Sequence, residues 1–233
     1  MNLLSRTGAR LNRVAKTVLV GGGLLTLASI AFAYVYSSEG QWASWSSGSY
    51  TIYNDVWGNS NPSQWLNVNS TSNWNIVSDQ TGGGVKSYGN ESFSPNVAIT
   101  AENTWVSFNC STPSGAAYDN SFDCWDNKGD EIMIWENWAN VSPAGSEKYS
   151  NQSIGGSTWN VWVGNVGHDY IAFERTSQRW SGTEYPSDLI DWALNKGLLT
   201  SGSTTVTQVQ MGFEVTSTNG WQTFTMNSYS AGW

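Results

Sequence analysis

The chain has 233 residues, with 18 acidic against 10 basic side chains and one histidine. That length allows one domain of moderate size or two small ones, and the acidic balance argues against phosphate backbones and anionic lipid surfaces as partners. Only 12% of the residues are charged, glycine is frequent and there are 15 tryptophans, which is the composition of an exported β protein that meets a neutral ligand.

Arg6, Arg10, Arg13 and Lys16 open the chain without an acid, and an apolar run follows from Thr17 to Ala33. Ala31-Phe32-Ala33 has the small-x-small form of a signal-peptidase site. Residues 1–33 are therefore expected to be a signal peptide. An uncleaved anchor is the alternative, because the apolar run continues through Tyr34-Val35-Tyr36. Cleavage would leave a single domain, 34–233, with 6 basic and 18 acidic residues and a net charge of −12. This domain is expected to be secreted, extracellular and monomeric, without stable membrane contact and without nucleic acid as a partner.

Short apolar or aromatic runs then recur between clusters of Gly, Ser, Asn and Pro. They are Tyr50–Tyr53, Asn73–Val77, Asn96–Thr100, Trp105–Asn109, Ala116–Phe122, Glu131–Trp135, Trp159–Val163, Tyr170–Phe173, Thr204–Val215 and Gln222–Ser228. Many short strands separated by turn signals predict an all-β sandwich or barrel. One segment differs: Ser187 to Gly197, with Ser187 as N-cap, acids in the first turn and Lys196-Gly197 at the end, predicts one short helix. Leu189, Trp192 and Ala193 form its buried stripe. Gly82-Gly83-Gly84 is a turn and no phosphate cradle, since no helix with Lys-Ser/Thr follows.

Cys110 and Cys124 are the only cysteines. An exported chain permits a disulfide, and their separation fits neighbouring strands joined at Ser114-Gly115, so a bridge is expected. One histidine and two cysteines without ligand-spaced partners offer no metal site, and no cofactor is expected. His168, between Gly167 and Asp169, reads as a turn residue.

Two strands carry chemistry. In Glu131–Trp135, Ile132 and Ile134 point to one face, and Glu131, Met133 and Trp135 to the other. In Gln208–Val215, Val209, Met211, Phe213 and Val215 are apolar, while Gln208, Gln210, Gly212 and Glu214 make the opposite face. An exposed strand glutamate is ordinarily solvated surface. Two of them on polar faces of strongly apolar strands are the raw material for cleaving a sugar–sugar bond. Tryptophan rings, flat and apolar with one N–H donor, suit the C–H face of a pyranose. Asp130 reads as structural, and Asp123 and Asp126 as solvated loop residues before Glu131.

From Tyr50 to Ser230 the chain resembles glycoside hydrolase family 12, the small secreted endo-β-1,4-glucanases. The landmarks come in family order: Asn54-Asp55-Val56-Trp57-Gly58, Val85-Lys86-Ser87-Tyr88, Ala117-Tyr118-Asp119, Glu131-Ile132-Met133-Ile134-Trp135, Trp159 to Gly164, Asp188-Leu189-Ile190-Asp191, Gln210-Met211-Gly212-Phe213-Glu214 and Met226 to Ser230. The sequence departs from the family pattern at Asp55, where Asn is usual, and at Gly89, where Pro is common. The resemblance implies a β-jelly roll of two curved antiparallel sheets, an open groove for a β-glucan polysaccharide and retention of anomeric configuration. It implies Glu131 as nucleophile, Glu214 as acid/base and Asp119 as a helper carboxylate that hydrogen-bonds the nucleophile. Trp57 would stack a glucosyl ring, Met133 and Trp135 would flank the reaction centre, and Asp55 and Gln210 would line the substrate path. A non-catalytic sugar-binding module would need the aromatics but not both glutamates. A xylanase of the related jelly-roll family would carry Glu-Tyr-Tyr and Thr-Glu-Gly strands, which are absent. A xyloglucan-specific or β-1,3-1,4-glucan-preferring member of the same family remains an alternative, since loops around the groove set tolerance of branches.

Overall fold

A computed structural model of the chain describes residues 33–58, 63–101 and 104–233. The expected signal peptide lies outside these residues except for Ala33. In chain order the described strands are β1 Tyr36–Ser38, β2 Ser44–Ser47, β3 Tyr50–Tyr53, β4 Gln64–Ser70, β5 Asn73–Ser78, β6 Ser87–Phe93, β7 Val97–Ala98 and β8 Trp105–Ser111. They continue with β9 Ala117–Asp126, β10 Glu131–Ala139, β11 Ser146–Ile154, β12 Ser157–Asn165, β13 Asp169–Arg175, β14 Ser181–Glu184, β15 Thr205–Ser217 and β16 Gln222–Gly232. Helix α1, Pro186–Asn195, precedes β15.

The strands form a two-sheet sandwich. One sheet has six strands in the order β1-β4-β5-β16-β8-β14; the other has ten, in the order β11-β12-β13-β10-β9-β15-β6-β3-β2, with β7 continuing along β15. Between them lies the core, where Trp74, Phe213 and Phe224 meet Phe122, Phe108, Leu66 and Ile76. The alternation expected of β10 and β15 places Ile132, Ile134, Val209, Met211, Phe213 and Val215 in this layer. Burying such side chains is worth about 1.5–3 kcal/mol each, which holds the strands to one register.

Among the described strands, pairing is antiparallel with one exception. β10 runs parallel to β13, with Glu131 beside Tyr170. A parallel pair brings both strand starts to the same end of the sheet, so the β12–β13 turn that precedes Tyr170 arrives at Glu131. β9 and β10 are joined by a tight hairpin closed between Asp126 and Asp130, with Gly129 at φ 82°. A left-handed residue at the end of a three-residue loop favours glycine.

Four expectations change. The helix starts with Pro186 at its first position and Tyr185 as N-cap, and Ser187 lies inside it, donating its backbone N–H to Thr104 Oγ1 at 3.0 Å. β9 runs on through Asp123 and Asp126, which are 4% exposed strand residues and not solvated loop. Cys110 and Cys124 are free thiols. Cys110 lies on β8 in the six-stranded sheet, Cys124 on β9 in the other. Cys110 Sγ meets Asn120 Oδ1 at 3.3 Å, and Asn120 is four residues before Cys124, about 13 Å along a strand. No disulfide spans that gap. Finally, the sheet face expected to be open around Met133 and Trp135 is covered: they are 1% and 3% exposed and pack with Tyr170 and Ala172 beneath Trp138, Val141, Ala144 and Trp162.

Candidate active site

The site lies on the outer face of the ten-stranded sheet, where β10, β9 and β15 run side by side. β9 alternates so that Asp119, Ser121, Asp123 and Trp125 share this face with Glu131 on β10 and Gln210 and Glu214 on β15. The pairing sets Glu214 opposite Asp119, Gln210 opposite Asp123, and Glu131 opposite Trp125. Four carboxyl groups thus follow one another across three strands.

Each carboxyl resists ionisation, chiefly because burial removes water from the charged form. Glu214 is pushed up to about 7 by burial, with the field of Glu131 adding to the rise and a hydrogen bond from Asp119 opposing it. Asp119 is raised well above the carboxylate range by burial and then by Glu214, although Ser121 Oγ donates to its Oδ1 at 2.8 Å. Asp123 is raised well above it too, by burial and then by the fields of Glu131 and Glu214. Glu131 is also raised by burial, but His168 pulls it back by hydrogen bond and charge. Glu131 is therefore the carboxyl with a dedicated partner for its ionised form, and Glu214 the one that holds its proton toward neutrality.

Asp119 touches Glu214 and Ser121, not Glu131, so the placement implied by the resemblance changes. The aspartate whose field couples it to Glu131 is Asp123, whose Oδ2 accepts from Trp125 Nε1 at 2.9 Å. Trp125 Nε1 also donates to Gln210 Oε1 at 3.1 Å, and Gln210 Nε2 donates to Asn90 Oδ1 at 3.3 Å. Sequence reasoning did not assign Asp123 and Trp125 to the site. The signal was there, in an alternation of polar face residues continuing past Phe122 to a three-residue turn.

Trp57 is 46% exposed, an open ring face. It is fixed by its backbone: Trp57 and Gly58 N–H both donate to Lys86 C=O, at 3.0 and 2.9 Å. A Cβ on Gly58 would lie 2.6 Å from Lys86 Cα, so glycine is required there. Asn54 of the same motif is structural, fully buried and bonded through its side chain to Gly40 and Gln64. Asp55 is half-buried, at φ 44°, and its carboxyl is raised by burial. Its C=O accepts from Tyr88 N–H at 2.9 Å, tying it to β6. Met133 and Trp135 form a wall beside Glu131 and present no open ring face. Asp130 turns away and binds Thr200 and Ser203. Among the described residues no group of three or more His, Cys, Asp or Glu side chains is arranged to hold a metal ion.

A β-sandwich that sets one assisted carboxylate and one proton-holding carboxyl on a common sheet face has the equipment of a glycoside hydrolase. The model of glycosyl hydrolase family 12 matches residues 36–232, and the chain belongs to that family. It is 31% identical to the xyloglucan-specific endo-β-1,4-glucanase A of Emericella nidulans, over 88% of this chain and 96% of that protein. Among solved structures it is similar to the xyloglucanase domain of NopAA, a type three effector from Sinorhizobium fredii in complex with cellobiose. The TM-score is 0.79 and the identity 34%, over 85% of this chain and 98% of that one. The fold also matches endoglucanase 3 of Trichoderma harzianum, with TM-score 0.76, 23% identity and coverage of 87% and 99%.

Proposed function

We propose that the chain is a retaining endo-β-1,4-glucanase that cleaves internal bonds of soluble or amorphous β-glucans. The observation that carries the reading is the division between Glu131 and Glu214: two carboxyls on one face, one partnered in its ionised form and one raised to about 7. Glu131 attacks the anomeric carbon. Glu214 gives its proton to the glycosidic oxygen, and the leaving chain departs. A water then attacks the same carbon while Glu214 takes its proton, and the glycosyl–Glu131 bond breaks. Both carboxyls return to their starting states, and configuration is retained. Asp119 tunes Glu214, and Trp57 offers its exposed ring to a glucosyl unit.

A second reading, preference for xyloglucan, is favoured by a specific observation: the Emericella nidulans enzyme, at 31% identity, and the Sinorhizobium fredii domain, at 34%, are both named for xyloglucan. Product profiles on barley β-glucan, xyloglucan, carboxymethylcellulose and xylan separate the readings. Release from the first three with none from xylan supports a β-1,4-glucanase. Release from xyloglucan alone supports the second reading, and release from xylan alone overturns both. The basic and apolar segment 1–33 supports export, and the acidic domain is proposed to work outside the cell as a monomer.

A further inference from the structure

His168 is the single histidine of the chain, and its turn places it two residues before Tyr170, the parallel neighbour of Glu131. Its Nε2 lies 2.6 Å from Glu131 Oε2. The imidazole also rests on the Trp125 ring, with centroids 4.9 Å apart and planes at 55°. Trp125 is itself held by Asp123 and Gln210. The ring is thus gripped on two sides while its side chain remains one-third exposed. A surface histidine that only closes a turn needs neither contact.

Resting on the reading of Glu131 as nucleophile, we propose that His168 is a positioning residue that fixes Glu131 through Oε2 and leaves Oε1 to attack. In other words, an imidazole on a neighbouring turn does here what the resemblance would assign to a helper carboxylate. The other titratable groups around the pair are acids and a tyrosine, and none brings a positive charge to Glu131. Asp123 on β9 and Glu214 on β15 are acids whose fields couple to Glu131. Tyr170 on β13 is kept neutral by burial and by the fields of Asp119, Glu214 and Glu131. Asp130 and Asp169, next in sequence to the two partners, both bond Thr200. Among the described residues neither Glu131 nor Glu214 forms an ion pair with lysine or arginine. An N–H donor at Oε2 is then the contact that favours the ionised form.

The test is the pH profile of kcat/KM for the purified chain, its His168→Phe and His168→Gln variants, and Glu131→Gln, with melting temperatures measured alongside. Phe keeps a ring against Trp125 without the donor; Gln keeps a donor without the charge. Loss of the contact lets Glu131 rise, so the acid limb of His168→Phe is expected about one pH unit higher, about tenfold less activity at a fixed pH below it. His168→Gln is expected in between. An unmoved acid limb in His168→Phe, with Glu131→Gln inactive, overturns the positioning role and leaves the functional reading standing. Turnover retained by Glu131→Gln overturns both. Because there is only one imidazole, its NMR signals give a readout besides activity: they are expected to shift in Glu131→Gln, and unchanged signals count against the contact.

Discussion

Glu214 on β15 stands directly across from Asp119 on β9, and the two carboxyls are hydrogen-bonded to each other. Asp119, raised well above its ordinary range by burial and then by Glu214, is the proton donor of this contact and lowers Glu214. Activity that needs protonated Glu214 falls as pH rises through its value, so the alkaline limb of kcat/KM is expected near pH 7. Asp119→Ala removes the lowering contact and is expected to move that limb upward. Asp119→Asn, which still donates, moves it less. A limb that shifts downward in Asp119→Ala would contradict the pairing.

Replacing either glutamate by glutamine tests the chemistry directly. Glu214→Gln is expected to lose about 10²–10⁴-fold in kcat on substrates with poor leaving groups, and Glu131→Gln to lose at least as much. Neither variant should melt lower than the parent, since each removes a carboxyl that resists burial. Measurement of reducing ends released from barley β-glucan, together with thermal scans, checks both statements.

Glu91 is a different kind of buried acid. It faces the core from β6, accepts Trp74 Nε1–H at 3.0 Å, and is pushed up to about 8 by burial. A carboxyl raised in the folded state above its unfolded value of 4.5 stabilises the fold fully at low pH. That contribution is lost as pH climbs toward 8. The melting temperature is therefore expected to fall between pH 5 and pH 9, and Glu91→Gln, which keeps the acceptor for Trp74, to flatten part of the slope. Asp119, Asp123 and Glu214 push in the same direction, so the slope does not vanish. Parallel slopes for parent and variant would remove Glu91 from the explanation.

At one end of the sandwich Glu136, fully buried, accepts from Arg175 Nε at 2.9 Å and from Arg179 Nε and Nη2 at 2.7 and 2.9 Å. Both arginines also reach Glu184 Oε2, each at 2.7 Å. The network joins β10 and β13 of one sheet to β14 of the other. Glu136→Ala leaves the two arginines only Glu184 to share and is expected to cost about 3–5 kcal/mol in urea unfolding. A loss under about 1 kcal/mol would show that water replaces the carboxylate.

What the sequence made legible was what local pattern controls. β3 was readable to the residue, and β10 and β15 by their alternating apolar faces, because burial of one face leaves a period of two. β6 was not, since its core-facing positions include Gly89 and Glu91 rather than aliphatic residues. β11 escaped because Ser146–Ile154 is largely exposed and polar on both faces. The glutamates were legible as a pair, but their partners were not. Asp123 was hidden by ending β9 four residues early, and His168 by a parallel register between strands 38 residues apart at their starts. The cysteines misled for the same reason: nearness along the chain said nothing of which sheet each joins.

The unbridged thiols have a practical corollary. Both sulfurs sit in dry interior, with Cys110 pushed up to about 12 by burial, so neither offers a ready thiolate to oxidants or alkylating reagents. Closure of the sandwich then rests on side-chain interlocking and the arginine–glutamate clasp. Glutathione or dithiothreitol should leave the enzyme's half-life untouched, and a reducing cytosol can serve as a production host as well as an oxidising one.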